Sequence, residues 1–518
     1  MKRLLALAMI VAPLAIAALK EPIQVDGGQI TGTPTPQWTP GMRLFRGIPY
    51  AAPPVGDLRW RPPQPVVPWQ GVKAADHFSN VCMQPATDTE GNAWREGLVP
   101  MSEDCLYVNV WTPATSENAK LPVMVFIHGG GNNRGAASEN QYDGAYLAKK
   151  GVVFVSLNYR MNIFGFMAHP DLTRESEHHS SGNYAMLDQI AALQWVQRNI
   201  AKFGGDPNTV MIFGHSAGAS NVSSLMATPL AKGLFHRVLT QSGANLNPGR
   251  PLAEVEQDGL KFAQSLKANS IADLRRMSAE VLEKAPRPAM ALNVDGWALP
   301  QDVYTIFATG KQNDVPLITG TMADDLPGPG TGQGPAKVAD AAAYAKETFG
   351  PLASTYLRLY PATTEEQLAK SSSAFRTERA LANARLWVRL QTKTGKSKAY
   401  LYYFTHTSPF PEGLMWGGRT AKSWGAYHGG EMVYVFNAFP LQDWPWRPVD
   451  LKLGDTVSTM WTNFVKAGNP NGPGVPEWPT YDAKSDILMN ISDTPKAQPA
   501  PFKEKLDFLE QSITSQRK

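Results

Sequence analysis

The sequence predicts an α/β chain built on a mostly parallel sheet that helices cover on both faces. Three observations carry this reading. Continuous apolar runs recur at Leu121–Ile127, Val152–Leu157, Val210–Phe213, Val238–Thr240, Val315–Thr319 and Leu401–Phe404, and runs without polar alternation suit strands buried on both faces. Between the second and third runs, Tyr184–Ile200 sets Leu187, Ile190, Leu193 and Ile200 at helical spacing, a strand–helix–strand rhythm. Finally, Gly214-His215-Ser216-Ala217-Gly218 stands directly between an apolar run and a segment that can continue as a helix.

Taken in chain order, the first element is a leader. Met1-Lys2-Arg3 is basic, Leu4–Ile16 is apolar, and Ala15-Ile16-Ala17 offers a small-residue cleavage site. Residues 1–17 therefore read as a signal peptide, with export to a periplasm or the outside as the expectation. The competing reading, a membrane anchor, is disfavoured because the apolar stretch is too short to span comfortably. No cysteine follows it to carry a lipid, so the mature form is expected to have no membrane anchor. The remainder, 18–518, reads as one domain with helix-rich insertions at about 251–300 and about 335–400, including Ala341–Phe349 and Thr377–Thr392. These are long enough to form a cap or side wall over a pocket. Composition is globular, 43% hydrophobic and 18% charged. A net charge of +4 without a basic run gives no reason to expect nucleic acid. The two cysteines, Cys82 and Cys105, suit a disulfide closing a loop of about 24 residues, worth about 3 kcal/mol in the chain-entropy model. Two buried thiols or a metal site are the alternatives, and the lack of a neighbouring histidine pair makes a poor zinc site.

The pattern around Ser216 is what a nucleophile elbow requires: a strand, a sharp turn and a helix, with glycines admitting close neighbours. Ligands on such sheets bind at the carboxyl ends of strands, where Ser216 lies. Alone, Gly-x-Ser-x-Gly is weak in a chain with 44 glycines, so its meaning rests on the partners. Leu121–Ile127 ends in His128-Gly129-Gly130-Gly131, whose backbone N–H groups can converge with that of Ala217 on an oxyanion. A phosphate-binding loop is the alternative, but no Gly-Lys-Ser/Thr follows. With the chain order serine, acid, histidine, only His406 and His428 of nine histidines lie beyond a suitable acid strand. His406 directly follows an apolar run and reads as a strand-end histidine. His428, set among Gly425, Ala426, Gly429 and Gly430, is preferred as base. Val315–Gly320 leads to Asp324 and Asp325, and spacing does not rank these two.

Further segments give the chain a close resemblance to type-B carboxylesterases, the cholinesterase-like branch of the α/β-hydrolase fold, from about residue 25 to the C-terminus. They are Phe45-Arg46-Gly47-Ile48-Pro49-Tyr50-Ala51, Ser102-Glu103-Asp104-Cys105-Leu106-Tyr107-Val108-Asn109, Asn158-Tyr159-Arg160, Phe203-Gly204-Gly205-Asp206-Pro207, Gln241-Ser242-Gly243 and Gly468-Asn469-Pro470-Asn471-Gly472. The resemblance implies a serine esterase with a catalytic triad at Ser216, Asp325 and His428. It implies oxyanion donors at Gly130, Gly131 and Ala217, a disulfide Cys82–Cys105, and no metal or organic cofactor. It settles Asp325 over Asp324, yet the family usually carries glutamate there. Aspartate is one methylene shorter, so either the turn sits closer to His428 or the histidine's partner is a different residue. His215 is a second departure, since many relatives carry glutamate at that position; it argues against choline esters and reads as a supporting group.

Where many relatives place an aromatic residue after the glycine turn, this chain has Asn132-Asn133-Arg134-Gly135. Asn132 and Arg134 are candidate substrate contacts, and a guanidinium there can pair with a carboxylate in bidentate fashion. The expected partner is a small-molecule ester with a polar or polycarboxylic acyl group, such as the tricarballylate esters of fumonisin-type toxins. Arg419 and Lys422 add positive charge nearby in sequence. Other readings are a general short-chain or aryl esterase, a lipase, or a non-catalytic cholinesterase-like adhesion module. The loops Leu326–Ala336 and Pro409–Trp424 are expected to border the gorge.

Overall fold

In the computed structural model the residues described are 19–34, 41–85, 100–287, 291–325, 334–416, 419–515 and 517. The leader read over 1–17 and most of the loop 326–336 lie outside them. The apolar runs form the middle of an 11-stranded sheet. Leu121–Ile127, Val153–Leu157, Gly205–His215, Arg237–Gln241, Leu317–Met322, Ala399–Phe404 and Ile487–Ile491 pair in parallel. Antiparallel strands Tyr107–Thr112, Arg43–Pro49 and Thr33–Pro34 extend one edge, and Lys496–Pro499 closes the other.

Why the runs are continuous is visible in the packing. Val123, Val125 and Ile127 join the core on one face of the sheet, while Met124 and Phe126 join the core on the other. Ile212 and Phe213 divide in the same way. Alternate residues point to opposite faces, and both faces are dry. Trp195 and Val196 of helix Tyr184–Asn199, Leu225 of Ala217–Ala227 and Trp387 of Glu365–Thr394 fill the first core. Trp461 and Phe464 of Pro448–Ala467, with Tyr434 of Met432–Phe436, fill the second.

Two strands depart furthest from their sequence reading. Val210–Phe213 is the inner part of Gly205–His215, whose register shifts between Gly205 and Val210. The run read from Val315 begins instead at Leu317, because Pro316 has no N–H to offer a ladder, and it runs on to Met322. That extension carries the chain straight to Asp324 and Asp325.

The first insertion forms the short helices Leu252–Ser265, Ile271–Arg276 and Ala279–Lys284. In the second, Ala341–Phe349 is followed by Ala353–Leu359 and the 30-residue helix Glu365–Thr394, whose stretch Thr377–Thr392 holds most of its buried residues. This long helix lies on the sheet strands Leu317–Met322 and Ala399–Phe404 and so forms part of the sheet's cover. Its fully buried Arg385 is held by Asp486, Asp507 and Glu510, a charge that can be buried because three carboxylates surround it. Cys82 and Cys105 form a disulfide with Cα atoms 5.0 Å apart.

Candidate active site

His215 ends a buried strand, and the next residue turns abruptly. Ser216 takes φ 59° and ψ −125°, a left-handed conformation that costs a non-glycine residue about 1–3 kcal/mol. The cost is met by its surroundings. The Ser216 amide donates to the Gln241 carbonyl of the neighbouring strand at 2.8 Å, and its carbonyl accepts from the Ser220 amide at 3.0 Å, opening helix Ala217–Ala227. Close approach on both sides explains two glycines. A Cβ at Gly218 would lie 2.0 Å from the Ile127 carbonyl oxygen, and one at Gly129 would lie 2.9 Å from Ser216 Cβ. The glycine turn is thus packed against the half-buried serine.

That turn is held from behind. Tyr159 Oη donates to the His128 carbonyl at 2.8 Å, and the two rings stack with centroids 4.6 Å apart. Asn132 is buried; its Oδ1 accepts from Asn221 Nδ2 of the elbow helix at 3.1 Å, and its carbonyl accepts from the Asn162 amide at 2.7 Å. Arg134 lies on the exposed side of the turn, its amide donating to the Gly130 carbonyl at 3.1 Å. Of the two candidate substrate contacts, Asn132 is buried and Arg134 is exposed. Among the described residues, the amides of Gly130, Gly131 and Ala217 donate to no backbone carbonyl, which leaves three N–H groups for an oxyanion. The last of them also carries the positive end of the helix dipole.

The base and acid arrive from the far half of the chain. His428 Nδ1 bonds Asp325 Oδ1; the carboxylate is 2% exposed and the imidazole 20%. Asp325 Oδ2 accepts from Thr321 Oγ1, and its carbonyl accepts from Thr377 Oγ1 at 3.4 Å. Asp324 points elsewhere. Its amide donates to the Ala426 carbonyl at 3.0 Å, and its Oδ2 accepts from the Ala426 amide at 2.8 Å. These two bonds zip the acid turn to the histidine loop beside the Asp325–His428 contact. The His428 ring lies against that of His215, with centroids 4.6 Å apart, and so sits beside the elbow. No hydrogen bond joins Ser216 and His428 here; such contacts are often long without substrate and tighten in the reacting complex.

His406 is elsewhere and occupied. Its Nδ1 meets Asp493 Oδ1 at 2.6 Å and its Nε2 meets Asp450 Oδ1 at 2.7 Å, with Tyr434 Oη at 2.9 Å from Nε2. The Asp450 carboxyl, bonded by Arg447, His406 and Tyr434, is held down at about 2 despite its burial. Thr321, Thr377 and Glu431 surround the acid without any sequence signal of their own. Glu431 is fully buried, accepts from Tyr402 Oη at 3.2 Å, and is pushed up to about 8 by burial, with Asp325 adding to the effect. The side chains of Arg419 and Lys422 lie outside the described residues. A cavity of about 570 Å³ among Trp60, Glu175, His178, Tyr184 and Trp297 contains none of the residues at the elbow.

The arrangement supplies a strained hydroxyl, a carboxylate-oriented imidazole and a set of open amides, the parts of a covalent acyl-transfer site. Comparison with known proteins agrees. Residues 20–509 match the carboxylesterase family. The chain is 35% identical to fumonisin B1 esterase of Sphingopyxis macrogoltabida over 469 residues, 86% of this chain and 83% of that one. It is 34% identical to liver carboxylesterase 1F of Rattus norvegicus, covering 89% and 88% of the two chains. Carboxylesterase EST55 of Geobacillus stearothermophilus superposes with a TM-score of 0.79 at 30% identity, covering 94% of this chain and 99% of that one. The chain belongs to the carboxylesterase family and is a carboxylic ester hydrolase of the α/β-hydrolase fold.

Proposed function

We propose that the enzyme cleaves its ester through an acyl-enzyme on Ser216. His428 takes the Ser216 proton as the hydroxyl oxygen attacks the ester carbonyl carbon. Asp325 keeps Nδ1 protonated, directs Nε2 toward the serine and stabilises the imidazolium that forms. The tetrahedral oxyanion lies among the amides of Gly130, Gly131 and Ala217, each worth about 3 kcal/mol in the transition state. The imidazolium returns its proton to the leaving alcohol. Water, deprotonated by His428, then attacks the acyl carbon, and the imidazolium gives that proton to Ser216 Oγ as the acyl C–Oγ bond breaks and the acid leaves. The observation that carries this reading is the Asp325–His428 pair set beside the elbow. Purified enzyme should release one equivalent of p-nitrophenol per site in a burst from p-nitrophenyl acetate, and Ser216→Ala should abolish both burst and turnover. Turnover persisting in Ser216→Ala would overturn the assignment and favour a different nucleophile.

The acyl group is proposed to be polycarboxylic. Arg134, exposed on the oxyanion turn, supports this, as does the similarity to an enzyme named for fumonisin B1. Arg134→Ala should lower kcat/KM for a tricarballylate monoester at least tenfold while changing that for acetate esters less than threefold. An unchanged ratio would return the substrate to short-chain or aryl esters. Export is proposed on the basic–apolar leader, with the Cys82–Cys105 disulfide as its support; N-terminal sequencing of the protein recovered outside the cytoplasm tests it.

A further inference from the structure

The residue before the nucleophile is buried with its chemistry unused. His215 is 7% exposed, its Nε2 has no hydrogen-bond partner, and its ring packs on that of His428 at a centroid distance of 4.6 Å and an interplanar angle of 39°. It also occupies the space beside the main chain beyond the base. Gly429 has φ +86°, and a Cβ there would lie 3.2 Å from His215 Cε1 and 3.5 Å from Nε2. His428 is thus fixed at two places: Asp325 holds its Nδ1 edge and His215 covers its face.

Building on the triad reading above, we propose that His215 is a positioning residue that acts through His428 as an uncharged ring. It limits rotation of the base so that Nε2 stays directed at Ser216, and it sets no fixed charge beside the imidazolium that forms during catalysis. Burial, reinforced by His428, holds His215 well below the ordinary histidine range, so it does not compete for the proton. The other ionisable groups of this neighbourhood are accounted for. Asp325, on the turn after Leu317–Met322, takes Nδ1; Asp324 is bonded to the Ala426 amide; Glu431, on the histidine's own loop, accepts from Tyr402. His215 is the group contributed by the elbow strand.

Three variants of the full chain, normalised to folded protein by circular dichroism and to active sites by burst titration, test this. His215→Ala removes the ring, and kcat should fall at least tenfold with KM changed less than twofold, since small misplacements of a reacting group carry large rate costs. His215→Phe restores a ring and should recover most of that loss. His215→Glu places a carboxylate against His428, which favours the protonated base, so the acid limb of kcat/KM should move up by about one pH unit or more. The inference is overturned if His215→Ala keeps its kcat, or if His215→Glu leaves the acid limb within about 0.2 units of the parent. Ser216→Ala separates this from the reading beneath it. If Ser216→Ala is inactive and the His215 variants are silent, only the role of His215 fails; if Ser216→Ala turns over, the triad reading fails first.

Discussion

Asp325 and His428, 103 residues apart in sequence, meet through Oδ1 and Nδ1, whereas the adjacent Asp324 spends its carboxylate on the Ala426 amide. Two neighbouring acids thus divide the work, one orienting the base and the other holding the two turns together. Asp325→Asn keeps the shape but removes the charge and permits the wrong imidazole tautomer, so kcat should fall by about 10³-fold or more with KM little changed. Asp324→Asn retains a carbonyl oxygen for Ala426 and should lose less than tenfold. Steady-state kinetics on both variants decide this, and a reversed order would move the acid to Asp324.

His406 provides the matching test among the histidines. Both ring nitrogens face carboxylates, and the ring is buried. His406→Ala opens a gap and removes one hydrogen-bond partner from buried Asp450, which Arg447 and Tyr434 still hold, and losing a buried partner costs about 1–3 kcal/mol. Thermal unfolding should show a clear loss of stability, while kcat per active site stays within threefold of the parent. His428→Ala should do the opposite, with melting nearly unchanged and turnover lost. A His406→Ala enzyme that is folded and inactive would contradict the assignment.

Local chemistry made much of this site legible. Ser216, the glycine turn and the central strands each declare themselves within a few residues, and Leu121–Ile127 is found with the bounds its sequence suggests. The antiparallel edge was not so clear, because Tyr107–Thr112 mixes Asn109 and Thr112 into its apolar run. Ranking Asp325 over Asp324 required the resemblance to a family, since the distinction depends on which carboxylate the Ala426 backbone captures. Thr321 and Thr377 were invisible for the same reason, as they become partners of Asp325 only once strand and long helix pack together. His215 was visible as a departure, but its contact with His428 was not.

Glu431 makes the stability of this fold depend on pH. The side chain is fully buried, accepts from Tyr402, and is raised to about 8 by burial and then by Asp325. An unfolded glutamate titrates near 4.3, so between that value and about 8 the folded chain binds the extra proton. Stability from this group is therefore complete below the unfolded value and is lost as pH rises through the folded one. Glu431→Gln keeps an acceptor for Tyr402 and has no proton to lose. Its melting temperature should match the parent's trend at acid pH and then exceed it by a margin that widens from pH about 4.3 to about 8 and levels off above that. Scanning calorimetry on both proteins across that range reads the difference directly. Because every other titrating group is shared, parallel curves would mean that Glu431 ionises at an ordinary value or that the folded state admits its charge at no cost.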